Sequence, residues 1–344
     1  MLSSEKGLNI CYEYDWISGT ESLAKYKPGG YHPIMIGDIL HNRYHIVDKL
    51  GIGGYSTIWL ARDTQSQHYV AVKVGIADSL LNETTIHRAL SSPSPMSSTS
   101  LKSADLLKGR DSIPIPLDEF KLRGPNGIHP CYTMDPGQCN LKESSYSRLF
   151  PLDVARALTA GLTLAVAYVH SQGYVHGDIH LRNVVAKLPS SFNELSIEQL
   201  YQKYEEPETV RVTERHGKPL PPNVPNLAVL PLHLGKYAEQ FSLSDTHVLL
   251  SDFGEAFSAA SGSCCGKDCH TPLAARPPET RFEPQKPLSY ASDVWSLAIT
   301  IWEIIGMKTI FSSEFTTDDE VTSQQVDVLG PMPQAWWARW DRTD

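Results

Sequence analysis

Val175-His176-Gly177-Asp178-Ile179-His180-Leu181-Arg182-Asn183 is the stretch that decides the reading of this chain. Phosphoryl transfer needs one group that accepts or orients the proton of an attacking hydroxyl. It needs another that holds a divalent cation against the phosphates. Asp178 suits the first task and Asn183, five residues on, the second. The pattern is short, so the assignment depends on what stands on either side of it.

Upstream, Leu50-Gly51-Ile52-Gly53-Gly54-Tyr55-Ser56-Thr57-Ile58 places Gly51 and Gly53 at the first two positions of a Gly-x-Gly-x-x-Gly turn between apolar residues, with Ser56 at the third. Backbone without side chains there can lie close over phosphates. Val70-Ala71-Val72-Lys73-Val74 follows as an apolar strand carrying one cation, Lys73, at the distance expected of a lysine that grips the α- and β-phosphates. Glu83 is the candidate to position Lys73 from a helix, and Met134-Asp135 marks a short linker whose backbone could read an adenine edge. Downstream, Val248-Leu249-Leu250-Ser251-Asp252-Phe253-Gly254 reads as a buried strand ending in Asp-Phe-Gly, with Asp252 a second magnesium ligand. Pro277-Pro278-Glu279 and Asp293-Val294-Trp295-Ser296-Leu297-Ala298 complete the ordered set.

From about residue 26 onward this order resembles a eukaryotic-type protein kinase. Tyr26-Lys27-Pro28-Gly29-Gly30-Tyr31-His32, Ile36-Gly37-Asp38, Gly124-Pro125-Asn126-Gly127-Ile128-His129 and Ser251-Asp252-Phe253-Gly254-Glu255-Ala256 narrow the resemblance to the SR-protein kinase (SRPK) family. The resemblance implies an α+β bilobal fold with a β-rich small lobe and a helical large lobe. It implies ATP and Mg2+ as cofactors, and transfer of the γ-phosphoryl group to serine in Arg/Ser-rich proteins of mRNA splicing. Leu50, Gly51, Gly53, Gly54, Ser56, Ile58, Ala71, Lys73, Met134 and Asp135 would then surround the nucleotide. Asp178, Lys73, Glu83 and His180 would form the catalytic set, and the Asp293 helix would anchor the catalytic loop from below. Asp318, Asp319 and Glu320 stand where the family docks Arg-rich segments, although carboxylates in a first helical turn equally serve as capping groups.

Two departures matter. Gly177 stands where most protein kinases carry an arginine that reads an activation-loop phosphate, which argues against that form of control. His180 replaces the usual lysine. His-Gly-Asp-x-His-x-x-Asn is also the signature of small-molecule phosphotransferases of the aminoglycoside and choline type, and a catalytically silent scaffold is a third reading. The chain ends where the family continues with further helices, so the expected fold is C-terminally truncated. Glu279 would lack its arginine partner, and Trp336, Trp337 and Trp340 would form an apolar patch.

At 344 residues, with 41% hydrophobic and 20% charged, the chain suits one large two-lobed domain. Its formal net charge of -9 disfavours direct nucleic-acid binding and agrees with an Arg-rich partner. The expected layout is a leader over 1–40, a small lobe over 41–134 and a large lobe over 135–344. Leu152 to His170 forms a long amphipathic helix with Val154, Leu158, Leu162, Ala165 and Val169 inward and Gly173 just past its end. Ordinary kinases need about a dozen residues between the asparagine and the Asp-Phe-Gly. Here an insert at about 188–246 intervenes, expected over the large lobe's surface. Ser92-Pro93 and Ser94-Pro95 lie in a Ser/Pro-rich loop. The polar N-terminus carries no signal core, and Val294 to Ile305, the best apolar stretch, is short and holds Glu303. The expectation is a monomer of the cytoplasm and nucleus, off the membrane, with six reduced cysteines; Cys264, Cys265, Cys269 and His270 lack the spacing of a zinc site.

Overall fold

The computed structural model describes residues 13–79, 82–91, 103–146, 148–262, 264–306, 308–312 and 317–340. Ser92-Pro93, Ser94-Pro95 and the first twelve residues lie outside these. The chain forms two units. One comprises Met1–Leu80, Leu117–Pro136 and Ser190–His233; the other comprises Leu81–Pro116, Gly137–Pro189 and Leu234–Asp344. The helix Asn82–Ser91, expected in the small lobe, thus groups with the second unit, and residues 190–233 of the insert group with the first.

The first unit is built on an antiparallel sheet of β1 (Ile39–Leu40), β2 (Tyr44–Ile52), β3 (Ser56–Asp63), β4 (Tyr69–Gly75), β5 (Asp118–Gly124) and β6 (Gly127–Met134), in the order β1-β2-β3-β4-β6-β5. Ile46, Trp59, Ala61, Val70, Val72, Val74, Phe120 and Cys131 form its apolar core. β5 and β6 turn at Gly124-Pro125-Asn126-Gly127, and Asn126 points inward: its Nδ2 donates to the carbonyls of Tyr31 at 2.7 Å and Asn223 at 3.0 Å. Those bonds tie the leader and the insert to one hairpin. Gly30 is fixed by the same packing, since a Cβ there would overlap the Lys25 carbonyl.

The insert was expected over the large lobe; its residues 234–246 do group with the second unit, where Ala238 and Phe241 join the core, but residues 190–233 group with the first. Val212, Val224 and Ala228 pack with Leu23, Tyr26 and Tyr31, and Asn223 Nδ2 donates to the Tyr26 carbonyl at 2.7 Å. Strands Thr209–Arg211 and Leu227–Val229 pair antiparallel, and the helix Ile197–Tyr204 starts at a Ser196/Gln199 capping box and hands its Tyr201 hydroxyl to the Val47 carbonyl at 2.9 Å. Beneath the leader, Lys49 and Glu21 form a buried ion pair, and Tyr26 donates its hydroxyl to the same carboxylate.

In the second unit the helix Leu152–Ser171 runs through the core with Val154, Leu158, Leu162, Ala165, Val166 and Val169 buried. It is the one helix among the described residues long and apolar enough to cross a membrane, and its buried apolar residues are part of this core. The helix Tyr290–Gly306 packs against it, and a small sheet joins Gly137–Asn140, Val184–Lys187 and Val248–Leu250. Cys131, Cys139, Cys264, Cys265 and Cys269 are unpaired thiols.

The Lys49–Glu21 pair generates a stability test. Lys49→Met leaves the Glu21 carboxylate buried beside an apolar chain, so we expect a loss of about 3–5 kcal/mol in urea unfolding. Adding Glu21→Gln should restore most of it. A single variant as stable as the parent would show that the pair is dispensable.

Candidate active site

The segment from His176 to Asn183 runs between the strands Tyr174–Val175 and Val184–Lys187, and both are held by pairing: Val175 lies opposite Phe257 and Val184 opposite Leu250. Its N-terminal end rests on one carboxylate. Asp293, buried in the helix Tyr290–Gly306, accepts from the backbone N–H of His176 at 2.7 Å and of Gly177 at 2.9 Å, and pairs with His170 Nε2 at 2.8 Å. A buried carboxylate is stable only when so surrounded by donors. Gly177 adopts φ +79, and a Cβ there would come 2.8 Å from the Glu255 carbonyl oxygen, so the local backbone selects glycine over the expected arginine. His176 is buried, its Nδ1 accepting from Asp178 N at 3.3 Å and its Nε2 facing the Ser251 carbonyl at 3.1 Å. Burial lowers its pKa, which matches a neutral ring donating at Nε2.

Asp178, Asn183 and His180 meet at one point. Asn183 Nδ2 donates to Asp178 Oδ2 at 3.1 Å and to the Asp178 carbonyl at 2.9 Å, and His180 Nε2 lies 3.4 Å from Asp178 Oδ2. Asp178 Oδ1 is buried with no hydrogen-bond partner. Burial opposes ionisation of Asp178, but the hydrogen bond and charge of His180, with His176 and Asn183, outweigh it and hold the carboxyl below its usual range. The result is an ionised carboxylate with Oδ2 held by Asn183 and Oδ1 buried with its acceptor capacity unused among the described residues. That is the arrangement a proton acceptor needs.

Asn183 and Asp252, far apart in sequence, are brought together by the pairing of Val184 with Leu250. Ser251 N and Oγ both donate to the Asn183 carbonyl, at 2.8 and 3.1 Å. Asn183 turns its amide nitrogen to Asp178, so its carbonyl oxygen is the atom it can offer a hard cation; with the Asp252 carboxylate this is an oxygen donor set suited to Mg2+. Asp252 adopts φ +63, a conformation that costs a non-glycine residue about 1–2 kcal/mol. The next residue anchors it: Phe253 is buried between the rings of His176 and His87, with centroids at 4.6 and 4.8 Å, and its N–H donates to Glu83 Oε1 at 3.2 Å. Within the second unit Glu83 thus fixes Phe253.

In the first unit, Lys73 sits mid-strand opposite Ile58 and Tyr132, its ammonium 5.9 Å from the Tyr132 ring centroid. Buried Ala71 pairs with Met134 at the end of β6, next to Asp135. Leu50 and Gly51 end β2, Gly53 and Gly54 form the β2–β3 turn and Ser56 opens β3; Gly53 N donates to the Ser56 carbonyl at 2.8 Å and Gly51 pairs with Ile58. A Cβ at Gly51 or Gly54 would meet nothing, and neither has positive φ. Nothing among the described residues therefore demands glycine there.

The acidic trio opens the helix Asp318–Leu329. Glu320 completes a capping box with Thr317, while Asp319 pairs with Arg281 and accepts from Trp340 Nε1 at 2.9 Å. Asp318 is exposed. Trp340, expected uncovered, is buried, Trp336 stacks on Phe282 at 5.3 Å, and Trp337 is exposed. Glu279 lies 3.4 Å from Ser292 Oγ. Sequence reasoning missed Glu303, a buried acid whose pKa burial raises, 3.7 Å from Lys142 Nζ; it read only as a charge in an apolar run.

No protein-family model matches the chain. Among curated proteins it is 35% identical over 175 residues to the serine/threonine-protein kinase spk-1 of Caenorhabditis elegans, covering 48% of this chain and 16% of that one. It is 32% identical to human SRSF protein kinase 3 over 48% of this chain and 29% of that one. A serine/threonine protein kinase of Aspergillus fumigatus is 25% identical over 91% of this chain and 71% of its own. This chain thus spans under a third of spk-1 and of SRSF protein kinase 3. A solved kinase domain superposes with a TM-score of 0.61 at 16% identity, covering 89% of this chain and 76% of that domain. The chain carries the protein-kinase fold, and about half of it is similar to spk-1 and to SRSF protein kinase 3.

Proposed function

We propose that this chain transfers the γ-phosphoryl group of ATP to serine, in Arg/Ser-rich proteins of mRNA splicing, in the cytoplasm and nucleus. The observation that carries the reading is Asp178, an ionised carboxylate with Oδ2 pinned by Asn183 and Oδ1 unpartnered. Asp178 would take or orient the serine proton, and His180 beside it would supply whatever positive charge it carries to the transferring group. Lys73 would hold the α- and β-phosphates under the Gly51–Gly54 turn. Magnesium, held by Asn183 and Asp252, would neutralise phosphate charge. A protein acceptor is favoured over a small molecule by the named likeness to serine/threonine protein kinases over 91% of the chain.

The test is ATP turnover with an Arg-Ser repeat peptide, beside an amino-sugar and amino-alcohol panel. Asp178→Asn should cut peptide turnover by about two orders of magnitude or more with little change in nucleotide affinity. Asp252→Asn should instead weaken magnesium-dependent nucleotide binding. Turnover of the panel and not the peptide would move the chain to the small-molecule class; turnover of neither would leave a scaffold.

Docking of Arg-rich segments at Asp318, Asp319 and Glu320 is the finer part of this reading. Since Glu320 caps its helix and Asp319 already pairs with Arg281, exposed Asp318 is the cleanest probe. Peptide affinity should fall steeply with added salt, and Asp318→Asn should flatten that slope without altering ATP affinity or melting temperature. An unchanged slope would remove this helix from the docking surface.

A further inference from the structure

The β2–β3 turn is not left to itself. The Tyr31 hydroxyl donates to the Gly53 carbonyl at 2.7 Å and lies 3.3 Å from the Gly54 carbonyl, while Lys25 Nζ donates to the Gly54 carbonyl at 3.2 Å. All four residues belong to the first unit. The Lys25 contact is exposed, so it contributes little; Tyr31 is buried, with 3% of its surface exposed, and its bond is the one that counts. Tyr31 is itself held on every side. Its ring packs 5.6 Å from Tyr26, its carbonyl accepts from Asn126, and it shares an apolar cluster with Val212, Val224 and Ala228 of the insert. Asn223 of the insert donates to the Tyr26 carbonyl and accepts from Asn126.

We propose that the leader is a strap on the glycine turn, with Tyr31 as the positioning residue that sets the turn for nucleotide phosphates and the insert as the brace that holds the strap. This rests on the nucleotide reading given above. A glycine turn is intrinsically mobile, and ordering it costs conformational entropy each time a phosphate binds. Hydrogen bonds to the carbonyls of Gly53 and Gly54 hold the turn from the leader side and remove part of that cost beforehand, which tightens phosphate binding without any contact between Tyr31 and the ligand. The same logic gives the insert a task. Its Val212, Val224 and Ala228 bury apolar surface against the leader, so loosening them should be felt at the turn through Tyr31.

The experiment compares ATP, ADP and adenosine binding to the full chain, since adenosine lacks the phosphates the strap would serve. For Tyr31→Phe we expect ATP and ADP affinity to fall by about three- to tenfold, the value of one hydrogen bond, with adenosine affinity unchanged. The KM for ATP should rise with kcat little altered. Asn223→Ala, remote from the turn, should shift ATP in the same direction by a smaller factor. Equal losses for ATP and adenosine would mean a merely structural role and overturn the proposal, as would Tyr31→Phe binding like the parent. A parent chain that binds adenosine and ATP equally would overturn the nucleotide-phosphate reading itself, and the strap with it.

Discussion

One buried carboxylate organises the second unit. Asp293 takes the N–H groups of His176 and Gly177 and the ring of His170, and those groups belong to the loop that carries Asp178 and to the helix that leads into it. Backbone N–H groups buried without a partner cost about 1–3 kcal/mol each, so the loop and the helix Tyr290–Gly306 are worth more together than apart. Everything beyond follows in register. His176 bonds to the Ser251 carbonyl, Ser251 to the Asn183 carbonyl, and Asn183 to Asp178, which closes a ring of contacts around the Asp178 carboxylate. The φ +63 of Asp252 persists because Phe253 is locked between two imidazoles and Glu83.

The first unit has its own fixed point, in the leader. Glu21 binds Lys49 and Tyr26 in the interior, which seats the leader on β2. Asn126 then joins leader to hairpin and hairpin to insert through two side-chain hydrogen bonds. Segments that would otherwise trail from the sheet become part of its packing. The contribution of the Lys49–Glu21 pair is conditional, since desolvating both ions offsets most of their attraction; what it secures is that neither can be removed alone.

The parts legible in the sequence are those whose chemistry demands particular residues at short fixed spacing. Asp178 and Asn183 sit five apart in one loop, Asp252 precedes Phe253-Gly254, and the Leu152–Ser171 helix shows its apolar period and its Gly173 stop. The parts that were not legible depend on partners far away in the chain. Asn126 reads as a turn residue until Asn223 and Tyr31 arrive beside it, and nothing in the local sequence of Lys49 points to its partner Glu21. The insert illustrates the point best. Its proline-rich, acidic composition suggested a surface wrap, and only the apolar faces of Leu23, Tyr26 and Tyr31 show which surface it covers. Asp319 likewise read as a docking charge before Arg281 claimed it.

Gly177 links the two kinds of information. Where an arginine would wait for a phosphate, the chain has a left-handed glycine packed under the Glu255 carbonyl, with no room for a side chain. The segment after Asp252 is held by other means: Phe257 pairs with Val175, Ala259 N donates to the Gly173 carbonyl at 2.9 Å, Thr271 Oγ1 donates to the Gly177 carbonyl at 2.8 Å, and Arg276 Nε donates to the Thr271 carbonyl at 2.9 Å. The first three of these contacts end on Gly173, on Val175 in the strand after it, and on Gly177 of the segment that carries Asp178. None of these contacts needs an added charge to form, and two of them come from the side chains of Thr271 and Arg276.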